Sequence, residues 1–293
     1  MTANTQANNA PIHGRVMLVE LSISQWSARK IDRKAADQVA QSNNVESRSG
    51  TYYKSLIEGG PLEAIKKLAT KARQAHWHRT LPWSDAGPRV LSNLAYMEYM
   101  QEMATFGAEF DKLVAEFVSE YPLMRQEASR LLGNLFNDAD YPDLQRVADK
   151  FSFRTNVMPL PIGDDFRCDI GTEEVDRIRA EITATTEASM QVAVRDAYDR
   201  VTKVVESYVD RLAGPETVFR DSLVENARQL ADILPALNVT NDPRLAAIAA
   251  QLKDKLCAHE PEALRHNKTT RRETFEAAMD IQKDLMNFFG GAQ

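Results

Sequence analysis

Residues 76–83, HWHRTLPW, place His76, Trp77, His78, Arg79 and Trp83 within eight positions. Paired histidines could bind a metal ion, and tryptophans beside arginine could stack nucleobases. Two positions along a helix separate side chains by about 160°, so His76 and His78 share a metal only where the helix has already broken. The spacing favours structural histidines. Cys257, His259, Glu260 and His266 form a second cluster, but its histidines are seven apart, where ligands on one helical face sit three or four apart. That stretch reads as a helix end with solvated polar groups. Asp138, Asp140 and Asp143 in NDADYPD imitate a calcium loop yet lack its glycine and terminal glutamate, and read as a turn before a helix opened by Pro142. Phosphate-binding, dinucleotide-binding, nucleophile-elbow and H-E-x-x-H signatures are missing. The sequence therefore predicts no catalytic residues, no metal and no cofactor.

The strongest chemical signal is compositional. All three tryptophans lie in the basic first part of the chain. Trp26, Arg29, Lys30, His76, Trp77, His78, Arg79, Trp83 and Arg89 combine cations for phosphates with aromatic planes for bases, as single-stranded nucleic-acid sites do. The structural alternative makes 76–83 a helix C-terminus, with Trp77 and Trp83 clamping the turn against a core and Arg79 outside.

The chain has 293 residues, a net charge of −6 and 43% hydrophobic residues, the profile of a globular protein with ample core. Charge is uneven. Residues 1–80 hold 12 of the 36 Lys and Arg but only 6 of the 42 Asp and Glu. A basic first part on an acidic remainder suggests two faces with different partners, or parts that attract each other. Two cysteines, Cys168 and Cys257, make no disulfide framework. No apolar run reaches the ~20 residues of a membrane span. Residues 1–14 look like a disordered tail without signal-peptide character, and a cytoplasmic location follows as the expectation.

These residues need positioning elements. VMLVELSIS alternates, predicting a strand over 17–23; FSFRTNVM and DFRCDI predict strands over 151–158 and 165–170. The three are expected to form one small sheet, with the last two adjacent. Helices are expected over 27–41, from Pro61 to Leu81, over 91–120, between Pro122 and Pro142, and over 142–150. In the 91–120 helix Tyr96, Met100, Met103, Gly107, Phe110, Val114 and Phe117 repeat at 4,3,4,3,4,3, a coiled-coil-like seam. From Thr172, Val175, Ile178, Ile182, Thr185, Ser189 and Val192 begin a helix of some 40 residues in two registers. Gly214-Pro215 ends it, and helices over 215–235, 243–257 and 270–289 follow. The expected fold is α+β, predominantly α: a mixed domain over 15–171, then an antiparallel helical bundle over 172–293.

VELSISQWSARKID, AHWHRTLPWSDAGPRVLSNLAYMEYMQEM, FNDADYP and KFSFRTNVMPLP, spread over about residues 15–210, resemble an uncharacterised family carried by phages, plasmids and integrative elements. Members of that family are often encoded near a MoxR-type AAA+ ATPase and a cobaltochelatase-like von Willebrand A partner. The resemblance implies a setting in a mobile element's machinery and carries over no catalytic residue. Together with the two heptad-like helices it leads to a non-enzymatic assembly or adaptor protein, self-associating and contacting an AAA+ ATPase, away from membranes. The alternative is a single-stranded DNA-binding accessory factor in recombination or replication. An inhibitor of host defence is a third reading.

Overall fold

The computed structural model describes residues 12–85, 87–214 and 219–290. Its elements run β1 (Val16–Ser24), β2 (Arg29–Ile31), α1 (Arg33–Ser42), β3 (Tyr53–Ser55), α2 (Gly60–Arg79), β4 (Leu81–Pro82), β5 (Arg89–Ser92), α3 (Tyr96–Leu132), α4 (Leu144–Val147) and β6 (Ser152–Met158). Then come α5 (Thr172–Leu212), α6 (Ser222–Leu237), α7 (Pro243–Gln251), α8 (Pro261–His266) and α9 (Lys268–Gly290). The fold is α+β and predominantly α, with one four-stranded antiparallel sheet ordered β4-β5-β1-β6 and a two-stranded ribbon β2-β3.

The sheet keeps two of the three expected strands. β1 and β6 share one sheet, as expected, and are neighbours in it, and β5 pairs with β1 through Val16↔Ser92 to Val19↔Arg89. Residues 165–170 form no strand. Gly163 instead sits so close to α5 that an added Cβ would lie 2.6 Å from the Arg179 carbonyl oxygen, and Arg179 Nε donates to Phe166 O at 3.3 Å. Packing on α5 occupies the segment that a hairpin would have used. The expected helix over 27–41 begins later, because Arg29–Ile31 joins the ribbon and Asp32 caps α1 by accepting from Ala35 N. α3 continues through Pro122, uniting the two helices expected on either side of it. The helix expected over 215–235 is described only from Phe219 and becomes α6; 243–257 divides into α7 and a π-helical turn over Leu252–Leu256. Most of the segment read as a disordered tail lies outside the described residues; Ile12–Gly14 form a 3₁₀ turn.

The chain divides into two compact units. The first comprises the described residues of Met1–Glu20 with Trp77–Tyr99 and Val157–Gln293; the second comprises Leu21–His76 and Met100–Asn156. The sequence expectation was a single cut after residue 171. Instead β1, α2, α3 and β6 each contribute residues to both units.

In the first unit α5 is the spine. Tyr198, Val201, Val205, Tyr208 and Leu212 are buried against Val224, Leu234 and Leu237 of α6 and Ile281 and Leu285 of α9. The Tyr208 hydroxyl donates to Leu256 O at 3.1 Å, and Tyr198 donates to Asp242 Oδ2 at 2.6 Å, so both buried phenols are satisfied. The second unit is built on α3. Phe110, Phe117, Tyr121 and Ala128 pack with Leu56, Leu62, Ile65, Tyr141 and Phe151. Seam residues Met103, Phe110 and Phe117 are buried, so the expected stripe is core.

Candidate functional site

The aromatic and basic segment begins where α2 ends. His76 is buried, while Trp77 is 59% exposed. The last carbonyls of α2 lack intrahelical partners, and Arg200 of α5 supplies them. It donates to His78 O at 2.8 Å, Trp77 O at 3.1 Å and Thr80 O at 2.7 Å, while its Nε holds Asp196 at 2.7 Å. Arg89 donates to Thr80 Oγ1 at 2.7 Å and Thr80 O at 3.1 Å. Burial, aided by the neighbouring Arg200 charge, pushes the Arg89 guanidinium below its ordinary range. Arg79 pairs with Glu98 at 3.2 Å, and Trp83 packs against the first unit's core.

The nine candidates do not act alike. Trp77, His78, Arg79, Trp83 and Arg89 belong to the first unit; Trp26, Arg29, Lys30 and His76 belong to the second. Trp26 sits half-buried on Phe117 and Tyr121, with ring centroids at 6.3 and 5.9 Å. Lys30 is committed to Asp140 at 2.6 Å. Arg29 is exposed on β2. Trp77 and His78 are left as the exposed aromatic rings of the motif, and the expected clamp holds for Trp83 rather than Trp77.

Sequence reading passed over a buried charge cluster in the second unit. The Lys54 ammonium touches Asp140 Oδ2 at 2.8 Å, Leu135 O at 2.7 Å and Asp32 Oδ2 at 3.1 Å, which engages all three of its protons. Burial opposes the charge on Lys54, but Asp140 and Asp32 outweigh it and raise the ammonium above its ordinary value. Burial likewise opposes the Asp140 carboxylate, and hydrogen bonds from Lys30 and Lys54 overcome it, lowering that carboxyl. Asp32 is lowered by the Ala35 amide first and Lys54 second. Elsewhere in this unit, burial carries the Tyr121 phenol to about 12.

Above this cluster lies a groove of about 940 Å³, lined by residues 52–58 on one side and the last turns of α3 on the other. Its apolar walls are exposed: Tyr53 at 59%, Leu123 at 70% and Leu131 at 71%. Nothing in local sequence distinguished these leucines from core residues, because α3 continues past Pro122 and turns them outward. The described residues contain no group of three or more His, Cys, Asp or Glu arranged to hold a metal ion, and no described helix is long and apolar enough to cross a membrane.

No family model, curated protein or solved structure matches this chain.

Proposed function

We propose that this chain is a non-enzymatic assembly or adaptor protein of a mobile element, working through helical surfaces that bind a second copy and an AAA+ ATPase. One observation carries the reading: both long helices present apolar residues that their own unit leaves half-buried, as in α5, or exposed, as in α3. In α5 the first 18 residues, 172–189, contain no buried residue, although Val175, Ile178 and Ile182 continue the heptad spacing there. Within its unit this half is packed by the 161–166 segment, through Arg179 to Phe166 O and Thr186 to Pro161 O, and a helix so thinly packed gains from a further partner. In α3 the leucines at 123 and 131 stand in solvent. Contiguous exposed apolar surface of this kind marks binding faces. The mobile-element setting and the ATPase partner come from the family resemblance, and the intracellular location goes with them.

Size-exclusion with light scattering tests the reading. The chain alone, or mixed with a MoxR-type AAA+ ATPase of the kind the resemblance implies, is expected to exceed the 32.9 kDa of one copy. A strict monomer that ignores the ATPase overturns it.

A second reading, single-stranded DNA binding, is favoured by the exposure of Trp77 at the end of α2. Titrating a fluorescent oligonucleotide at two salt concentrations decides it. Salt-sensitive binding weakened in Trp77→Ala supports it, and no binding at low salt ends it.

A further inference from the structure

We infer that the groove between β3 and α3 binds an extended segment of another protein, which adds to β3 as a third strand. This specifies one surface of the adaptor and rests on that reading. The ribbon β2-β3 pairs Arg29↔Ser55, Lys30↔Lys54 and Ile31↔Tyr53 in antiparallel register. Asp32 N donates to Tyr52 O at 3.0 Å and Leu56 N to Ala28 O at 2.7 Å, so the even-numbered residues of this strand turn their backbone groups toward β2. Antiparallel alternation then directs the amides and carbonyls of Tyr53 and Ser55 away from β2. Among the described residues the ribbon has two strands, so that side of β3 is an unfilled edge.

Residues of this open-edged strand line the groove, and the facing wall carries Leu123 and Leu131. An incoming strand can satisfy the outward groups of Tyr53 and Ser55 while every second side chain contacts the leucines. A helix in the same place would cover those groups without supplying partners, which is costly. Charge narrows the ligand further. Lys54 is fully engaged below, and Glu127 pairs with Arg130, whereas Glu58 at the groove's end is exposed and has no ion pair among the described residues. The occupant is therefore an extended peptide with alternating apolar residues and a basic residue placed to meet Glu58.

Selection of a displayed random decapeptide library on the full chain tests this. The enriched peptides are then measured by fluorescence anisotropy against wild type, Ser55→Pro and Leu131→Glu. Proline removes the outward amide of Ser55 at an edge position that tolerates it. Enrichment of alternating apolar peptides with a lysine or arginine is expected, and each variant should weaken them at least tenfold while circular dichroism and melting stay unchanged. A third variant, Glu58→Gln, should weaken basic peptides several-fold without affecting folding. No enrichment, helical-pattern peptides, or equal binding to Ser55→Pro overturns strand addition. So does a wild-type dimer that Ser55→Pro abolishes, which would give the edge to a second copy. If light scattering shows ATPase binding or self-association that none of these variants disturbs, the adaptor reading stands and this groove assignment falls.

Discussion

Arg200 and His78 are 122 residues apart in sequence, and the Arg200 guanidinium donates to the His78 carbonyl at 2.8 Å. With its bonds to Trp77 and Thr80, this one side chain closes the C-terminus of α2. Arg271 does the same for α5, donating to Arg211 O at 2.8 Å and Gly214 O at 2.6 Å. Both place a cation at the negative end of a helix. Arg200→Ala is expected to cost about 1.5–3 kcal/mol, the range for hydrogen bonds made by a charged group. Arg200→Lys should recover less than half, since an ammonium cannot span three carbonyls as a planar fork does. Urea denaturation checks both.

Removing Lys54 should be more damaging than its surface-strand position suggests. Its side chain is 5% exposed, and Lys54→Met leaves Asp32 and Asp140 facing each other without their shared cation. A loss of about 3 kcal/mol is expected, as for breaking a buried ion pair from one side. The pH profile follows from the shift directions. Asp32 and Asp140 are lowered on folding, so their stabilisation is present above the ordinary carboxylate value near ~3.9 and fades as pH falls through the folded values. Lys54 is raised, so its contribution is complete below ~10.4 and fades as pH rises through its folded value. Melting temperature against pH should show both flanks in wild type, and Lys54→Met should reduce both.

Two of the tryptophans should separate sharply. Trp77→Ala is expected to change stability by less than about 0.5 kcal/mol, because its ring is mostly in solvent. Trp26→Ala should cost about 3 kcal/mol through lost packing on Phe117 and Tyr121. Guanidinium melts of the two variants test the contrast.

Glycines 163 and 133 fail for different reasons when given a side chain. At Gly163 a Cβ would meet Arg179 O at 2.6 Å and Thr183 Oγ1 at 2.8 Å, so Gly163→Ala should cost about 2 kcal/mol or more by displacing the 163–166 segment from α5. Gly133 has open space but φ of +50°, and Gly133→Ala should cost about 1 kcal/mol of backbone strain. Thermal melts of both rank them.

Much of this fold was legible in hydrophobic period. The alternation of 17–23 and 151–158 placed β1 and β6 within a residue of their bounds, and the heptad runs marked α3 and α5. Three misreadings share a cause. Pro122 loses one backbone bond, yet α3 passes through it because Tyr121 is anchored in the core and by its hydroxyl to Pro142 O at 2.8 Å. The 165–170 segment alternates like a strand but is taken by α5. β4 and β5 are too short to show a period at all. In each case a distant contact outweighed local propensity. The same holds for function: HWHRTLPW was conspicuous by composition, while the groove walls lie more than 60 residues apart in sequence and Lys54 meets Leu135 and Asp140 more than 80 residues on, which leaves no local mark.

Amide hydrogen exchange across residues 172–189, followed at low and high protein concentration and again with the proposed partner, a MoxR-type AAA+ ATPase, added, examines the helical surfaces themselves. That half of α5 has no buried residue and is packed by the 161–166 segment, so protection gained above that of the dilute chain reports a further partner. Exchange that slows with concentration or with the ATPase is the expected result. Rapid exchange, unchanged under every condition, would contradict the account.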